Sequence, residues 1–468
     1  MSKRFGWKNA ILTISVIPCL FVTVSLATNV AKDDGESRFK QLELFNKILF
    51  LVESQYYREV STEKLIEGAI NGMMQTLDPH SAYLSEDVYS KMQEDTKGEF
   101  GGLGIEVSHK DGVIVVITPI DDTPAFKAGI KPGDRIVQID HEPTMGMTLE
   151  EAVERMRGKA GEPIHIGVSR EGVEGVKHFD INREIIKIEA VKSQLIDEKY
   201  LFIRLTQFQK KSSDSMIKAI KKHRKQAAKN GGLEGIVLDL RSNPGGLLDE
   251  AVNVSSIFLS DGVVVSTEGR DKEDKDIRYV SKTGHKELDI PLVVLINGAS
   301  ASASEIVAGA IQDHNRGLIM GTQTFGKGSV QTVAKVEDMK GVKLTIAQYM
   351  TPSGKKIQAF GIVPDVEVPE VEEAWIEDAM KERRYIRERD LRNHLTATVE
   401  TKEEKKERLE REKKERKNRA KKLQKLREEK KSGKEEEFVK FDPVTDYQVR
   451  QAIRFINGYE VFQRLNDE

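Results

Sequence analysis

Leu292-Val293-Val294-Leu295-Ile296-Asn297-Gly298-Ala299-Ser300-Ala301-Ser302-Ala303-Ser304-Glu305 reads as a buried strand that runs into a turn of small residues and out into a helix. The opening apolar run is short and rich in β-branched residues, as in a strand covered on both faces. Helical spacing of apolar residues resumes over Ile306 to Ile311. A serine at such a junction stands at a strand end, where the unpaired N–H groups of the first helical turn can face an anion. Acyl transfer needs both arrangements, a presented nucleophile and fixed donors for the oxyanion. The same small residues would also serve simply to cap a helix and let it pack closely, so the stretch alone leaves both readings open.

Working outward, Tyr200–Leu205 and Gly235–Leu240 are strand candidates of the same apolar kind. The second ends in Asp239-Leu240-Arg241-Ser242-Asn243-Pro244-Gly245-Gly246 and is followed by apolar-periodic residues from Leu247 to Phe258. Repeated strand–turn–helix punctuation makes residues 184–369 an α/β layered core with its chemistry at the strand ends. Adjacent glycines at 245 and 246 can expose N–H groups in unusual backbone conformations, either as anion donors or as an ordinary turn.

A third stretch, Thr324-Phe325-Gly326-Lys327-Gly328-Ser329-Val330-Gln331, sets a lysine between glycines. Burial of its ammonium would lower its pKa and make a neutral amine available as a general base. Exposure would make it a turn lysine. Gly321 and Gly326-Lys327 match part of a phosphate loop, but Gly328 stands where a Ser or Thr is required, and Val330–Val336 alternates like a strand where a helix is required. Nucleotide binding is therefore not expected. Neither G-x-S-x-G nor H-E-x-x-H occurs, and the nine histidines are scattered. Asp313-His314 keeps a histidine-dependent triad open.

The rest of the 468 residues divides by texture, in keeping with roughly two to four domains for this length. Lys3, Arg4 and Lys8 precede an apolar stretch from Ala10 to Ala27, which predicts a signal peptide over 1–27 or an uncleaved anchor, and hence an exported, periplasmic body held at the inner membrane if processing fails. Pro18 before Cys19 makes a poor lipoprotein box. Cys19 is the only cysteine, so a processed chain has no disulfide, thiolate metal ligand or cysteine nucleophile. Residues 38–97 are expected to be helical, from Leu42, Phe45, Ile48, Leu49 and Val52 and again from Leu65, Ile66, Ala69, Ile70 and Met73, with Leu77-Asp78-Pro79-His80 ending the second run. Residues 98–183 alternate short β-rich runs with Gly and Pro turns around one helix from Thr148 to Met156.

Residues 370–468 are expected to form a helical tail. Residues 400–437 are almost entirely Lys, Arg and Glu, a solvated helix or disordered spacer, and an amphipathic helix from Tyr447 to Leu465 is expected to dock on something, for instance another subunit. Charged residues make up 32% of the chain, yet the net charge is −2, and Glu is interleaved with the bases of the tail, so nucleic acid is not an expected partner.

Taken together, Leu77-Asp78-Pro79-His80-Ser81, the Arg241–Gly246 turn, the Ser300–Ser304 run, Phe325–Gly328 and Gly361-Ile362-Val363-Pro364-Asp365 resemble the carboxyl-terminal processing peptidases, tail-specific serine proteases carrying a PDZ domain. The resemblance implies a core like the crotonase fold, with an inserted PDZ-like β domain over 98–183. It implies Ser302 as nucleophile, Lys327 as base and Gln331 as its assistant. Oxyanion donors would come from Gly245 or Gly246 and from Ala303, without cofactor or metal. Gly101-Gly102-Leu103-Gly104-Ile105 is similar to a carboxylate-binding loop, and Ala128-Gly129-Ile130-Lys131-Pro132-Gly133-Asp134-Arg135-Ile136 to a run of the family's PDZ domains. Arg157 matches an arginine assigned to sensing the PDZ position, though a cation at a helix C-terminus is also favoured by the dipole. The implied partners are protein substrates with exposed C-termini, further copies of the chain, and a helical-repeat lipoprotein adaptor. Two rival readings are a catalytically silent PDZ scaffold and, through the crotonase-like core, an acyl-CoA enzyme.

Overall fold

The computed structural model describes residues 34–110, 112–271, 275–337, 340–370, 387–391, 394–395 and 441–466. The expected signal peptide and the charged run over 400–437 lie outside them. No helix among the described residues is long and apolar enough to cross a membrane.

The chain divides into a unit ending at Ala69 and a second from Ile70 onward. In the first, helix α1 (Asp34–Gln55) carries Phe39, Leu42, Phe45, Ile48 and Phe50 as exposed side chains. Helix α2 (Thr62–Gln75) starts in the first unit and ends just before the turn at Asp78.

After that turn the chain adds a short strand, β1 (Ala82–Leu84), inside a region expected to be wholly helical, and then helix α3 (Glu86–Lys97). Strand formation at 82–84 depends on a distant partner, because β1 is paired with residues 341–343.

The β-rich region begins with β2 (Glu99–Gly102) and continues with β3 (Ile105–Lys110), β4 (Val113–Pro119), α4 (Pro124–Ala128), β5 (Arg135–Ile139), β6 (Glu142–Pro143), α5 (Leu149–Met156), β7 (Pro163–Ser169) and β8 (Val176–Asn182). Its sheet runs β3-β4-β5-β7-β8. Ile114, Ile136, Ile139, Ile164, Ile166 and Val168 close a core of their own with Ala152 and Met156 of α5. Thr148 and Glu151 cap α5 reciprocally, each side chain accepting from the other's N–H. Entry and exit strands pair, because β2 is antiparallel to β9 (Glu184–Lys187). The domain is thus an insertion whose two ends leave side by side.

The core follows: β10 (Val191–Ile196), β11 (Tyr200–Leu205), α6 (Ser212–Ala227), β12 (Gly235–Asp239), α7 (Leu248–Phe258), β13 (Val263–Gly269), β14 (Lys275–Tyr279), β15 (Leu292–Ile296), α8 (Ala303–Asp313), β16 (Leu318–Gly321), β17 (Ser329–Glu337), β18 (Lys340–Met350) and β19 (Val366–Glu367), and later α9 (Tyr447–Asn466). Strands β11, β12, β15, β16 and β19 are parallel neighbours, with β10 antiparallel at one edge. A second, antiparallel sheet is built from β1, β18, β13 and β14, with β17 on β18.

Alternation along the parallel strands assigns the layers. Leu201, Ile203, Ile236, Leu238, Val294 and Ile296 pack with α6, α7 and α8 and, beyond them, with Val264, Val265 and Tyr349 of the second sheet. Tyr200, Phe202, Val237, Val293, Leu295 and Met320 face the other way and meet Val449, Ala452 and Ile456 of α9. The amphipathic helix expected near the C-terminal end therefore docks on the core of its own chain. Arg241 fixes its start, bonding Asp239 from Nε (2.8 Å) and Asp446 and Gln448 from Nη1 (3.0 and 2.8 Å).

Candidate active site

Three turns meet at the C-terminal ends of β12 and β15, as expected for chemistry in an open parallel sheet. Asn297 Oδ1 accepts the Ser242 N–H (2.9 Å), joining the turn after β15 to the turn after β12. Asn243 is buried and anchors the latter. Its Nδ2 donates to Leu205 O (2.7 Å), and its carbonyl accepts Ala301 N (3.0 Å) and Ser304 Oγ (2.9 Å). Ser300 Oγ donates to Leu240 O (2.8 Å), and Phe325 N donates to Ser300 O (3.1 Å), bringing in the lysine loop.

Ser302 caps α8 with φ 54° and ψ −111°, a conformation that costs a non-glycine residue about 1–3 kcal/mol and persists only where its surroundings impose it. The residue that imposes it is Glu305, wholly buried in the first turn of α8. One oxygen, Oε2, accepts the N–H of Ser302 (2.8 Å) and of Lys327 (2.9 Å). The other, Oε1, accepts Thr324 Oγ1 (2.6 Å) and Gly326 N (2.7 Å). Burial pushes the carboxyl up to about 7 against these four stabilising bonds. Glu305 was visible in the sequence only as the last residue of the serine run. Three of its four partners, Thr324, Gly326 and Lys327, lie on a loop beyond β16, so local pattern gave no sign that it joins the two loops.

The side chain of Lys327 is partly buried. Desolvation lowers its pKa, and the like charge of Lys343 adds to that, against Glu388, Glu305 and Asp78, which act the other way. Its ammonium makes no hydrogen bond or ion pair among the described residues, and none links it to Ser302 Oγ. Gln331 Nε2 donates to Ser329 Oγ (2.8 Å) and Ser329 O (3.2 Å), with a longer contact to Thr345 Oγ1 (3.4 Å), and not to Lys327.

Gly245 (φ 105°) lies against Ser302. A Cβ added there would fall 2.9 Å from Ser302 Cβ and 3.0 Å from Ala303 N. Its own N–H is turned inward to Asn243 Oδ1 (2.9 Å). Gly246 packs on the backbone of Phe208, where a Cβ would fall 2.2 Å from the carbonyl oxygen.

The turn at Leu77–Ser81, read from sequence as a helix end and as part of the family resemblance but not as part of the site, belongs to this neighbourhood. Asp78 Oδ1 accepts His80 N and Ser81 N (both 2.8 Å) and Thr345 Oγ1 (3.1 Å), and Oδ2 accepts Ser81 Oγ (2.7 Å). Burial raises Asp78, but these bonds outweigh it and hold the carboxyl below its usual range.

The histidine alternative fails on geometry. His314 sits past the far end of α8, about 18 Å from Ser302 at 1.5 Å rise per residue, with Nε2 on Val263 O (2.8 Å). No group of three or more His, Cys, Asp or Glu among the described residues is arranged to hold a metal.

In the inserted domain, Gly101 and Gly102 are the end of β2, Leu103 is buried in the domain core, Gly104 (φ 74°) turns the chain, and Ile105 opens β3. β3 is an edge strand, with α5 alongside it. Arg157 follows α5, its guanidinium 4.6 Å over the Phe100 ring and 3.3 Å from Glu94 Oε2. Its contacts are thus with β2 and α3, not with Ser302 or Lys327.

Comparison with known proteins places this geometry in context. Residues 199–368 match the model of peptidase family S41, residues 101–180 a PDZ domain, and residues 23–88 the activating protease CtpB N-terminal domain. The chain is 47% identical over 352 residues to a carboxy-terminal-processing protease of Bartonella bacilliformis, covering 75% of this chain and 80% of the relative. It is 35% identical over 350 residues to the carboxy-terminal processing protease CtpA of Bacillus subtilis, covering 74% and 73%. Among solved structures it is similar to a photosystem II D1 C-terminal processing protease, at 29% identity and TM-score 0.41, over 70% of this chain and 93% of the other.

Proposed function

The chain belongs to the carboxy-terminal processing peptidases of family S41, and on that premise we infer that this serine peptidase works through a Ser302–Lys327 dyad. One observation carries the reading: a single buried acid, Glu305, binds the backbone of both residues while burial drives the lysine toward its neutral form. Neutral Lys327 takes the proton of Ser302 Oγ. The oxygen attacks the scissile carbonyl, and the oxyanion rests on N–H groups of Ala303 and the Gly245–Gly246 turn. Gly246 supplies the turn's donor, because the Gly245 N–H is already used by Asn243. The protonated lysine then gives its proton to the leaving amine, and Lys327, neutral again, deprotonates the water that attacks the acyl carbon and returns that proton to Ser302 Oγ as the ester bond breaks. Gln331 assists once its amide exchanges Ser329 for Lys327.

The dyad is not hydrogen-bonded in this arrangement, which agrees with a resting form that substrate converts to the working one. Hydrogen bonds of this kind commonly tighten only when substrate is bound. The PDZ domain selects substrates by adding a C-terminal segment as a strand along β3, with its carboxylate at Gly102–Ile105 and its side chains against α5. Arg157 then reports the domain's position through Glu94 and Phe100. Helices lying between two sheets support the crotonase-like reading of the core. The apolar stretch from Ala10 to Ala27 behind Lys3, Arg4 and Lys8 supports export to the periplasm, where exposed protein C-termini are the substrate class, and the exposed apolar face of α1 supports self-association. The scaffold reading is set aside, because Ser302 and Lys327 are both present and the relatives are proteases.

The test is cleavage of an unstructured protein ending in apolar residues. Wild type should cut it, and Ser302→Ala and Lys327→Ala should not. Equal cleavage by wild type and either variant would remove the dyad.

A further inference from the structure

The peptidase family match ends at residue 368, yet residues 387–391 and 394–395 return to the lysine loop. Arg387 donates to Gln323, and Glu388 N donates to Phe325 O (3.1 Å). Glu388 is wholly buried, and both its oxygens lie 2.8 Å from His80 Nε2. Gln358 Nε2 donates to Glu388 Oε1 (3.0 Å) and to Leu395 O (3.1 Å). Through its other end, Gln358 Oε1 accepts the N–H of Gly328 (2.9 Å), the residue after Lys327. A strap from beyond the matched domain thus grips the loop on both sides of the lysine.

A carboxyl group with no exposed surface is costly to bury, and packing alone would favour an apolar side chain there. The partners of Glu388 show a more specific use. His80 belongs to the turn whose Asp78 is bonded by Thr345 of β18, and Gln358 holds Gly328. Building on the Ser302–Lys327 reading, we propose that Glu388, carried by the 387–391 strap, is a positioning residue for Lys327, acting through Gln358 on the lysine loop and through His80 on the turn at Asp78.

The charged groups acting on the amine come from the elements around it: Lys343 from β18, Glu305 from α8, Asp78 from the turn after α2, and Glu388 from the strap, with His80 of that turn on Glu388. Glu388 opposes the effect of burial on Lys327. Its loss should therefore do two separable things. A loosened loop lowers the rate, and removal of a nearby negative charge makes the amine easier to deprotonate. The acid limb of the pH–rate profile then moves to lower pH, a change that loss of packing alone would not produce.

The full chain serves for the test, with Glu388→Gln, His80→Asn, the double variant and Lys327→Ala. Each of the first two should lower kcat/KM about tenfold, the scale of a charge-assisted hydrogen bond that orients a reacting group. Glu388→Gln should also shift the acid limb downward, and the double variant should be no worse than the worse single, as for two parts of one network. Wild-type kcat/KM and pH profile in either single variant, with Lys327→Ala inactive, would overturn the role of Glu388 and leave the dyad standing. Activity in Lys327→Ala would overturn both. Should the Gln variant fail to fold, His80→Asn decides alone: a wild-type rate refutes the relay, and a tenfold loss in a protein of wild-type thermal stability supports it.

Discussion

Ser302 and Lys327 donate their backbone N–H groups to the same atom, Glu305 Oε2, at 2.8 and 2.9 Å. The separation of the Ser302 loop and the Lys327 loop is therefore set by a third residue that need not touch substrate. Fixing reacting groups in advance is worth several kcal/mol of barrier, and small displacements forfeit much of it.

Glu305→Gln tests that role. Glu305 accepts four donors on two oxygens, and an amide would turn an NH2 toward two of them. Either the Ser302–Lys327 pair or the Thr324–Gly326 pair must then move. A fall of about a hundredfold in kcat is expected, the scale of a displacement near 1 Å. Unchanged kcat in a folded variant would contradict it.

Stability should carry the same signature. The folded carboxyl is pushed up to about 7 from 4.5, so the folded chain takes its proton at higher pH than the unfolded chain. This group's contribution is therefore full below the unfolded value and is lost as pH rises through 7, a swing of about 3 kcal/mol. Denaturant unfolding of wild type and Glu305→Gln at pH 4.5 and pH 7.5 should show wild type losing stability relative to the variant as pH rises. A constant difference between them would contradict the buried, proton-binding acid.

Activity should follow the lysine in the other direction. Desolvation depresses the pKa of Lys327, and only its neutral form is a base. The rate should fall as pH drops through that depressed value, and Lys327→Arg, which cannot lose its proton at working pH, should be inactive while still folded. Steady-state rates from pH 5 to 10 decide the matter, and a flat profile would argue against an amine base.

Gly245→Ala should be far worse than Gly172→Ala. Both glycines have positive φ, but a Cβ at 245 meets Ala301 O at 2.8 Å and Ser302 Cβ at 2.9 Å, whereas nothing lies within 4 Å at 172. At 172 only the backbone strain remains, about 1 kcal/mol. At 245 Ser302 itself must shift, and activity should drop by about two orders of magnitude. Parallel melting curves and rates of the two variants test this contrast.

Ile456→Ala should lower the melting temperature without touching the chemistry. Ile456 is buried against Gly235 and belongs to the cluster that covers the outer face of the parallel sheet. A loss of about 2–4 kcal/mol is expected for such a truncation. An unchanged melting temperature would mean that α9 is not part of the folded core.

The sequence made legible what depends on neighbours along the chain. β12 and β15 announce themselves as apolar runs, and the small residues that follow mark their ends, so the presentation of Ser302 and of the 245–246 turn could be read directly. What it hid depends on distant partners. β1 becomes a strand only because residues 341–343 pair with it, and Glu305 acquires its role from Thr324, Gly326 and Lys327. Residues 387–395 sit among charges that suggest a solvated tail. Nothing local reveals that Glu388 is enclosed by His80 and Gln358. Gln331 shows a different limit: motif spacing gives its identity, but not the choice of its amide for Ser329.

The clamp between Arg241 and Asp446 joins positions 205 apart in the chain. No nascent polypeptide that stops short of residue 446 can roof the side of the sheet formed by Val237, Val293 and Leu295. Emergence from the ribosome must therefore precede completion of the hydrolase.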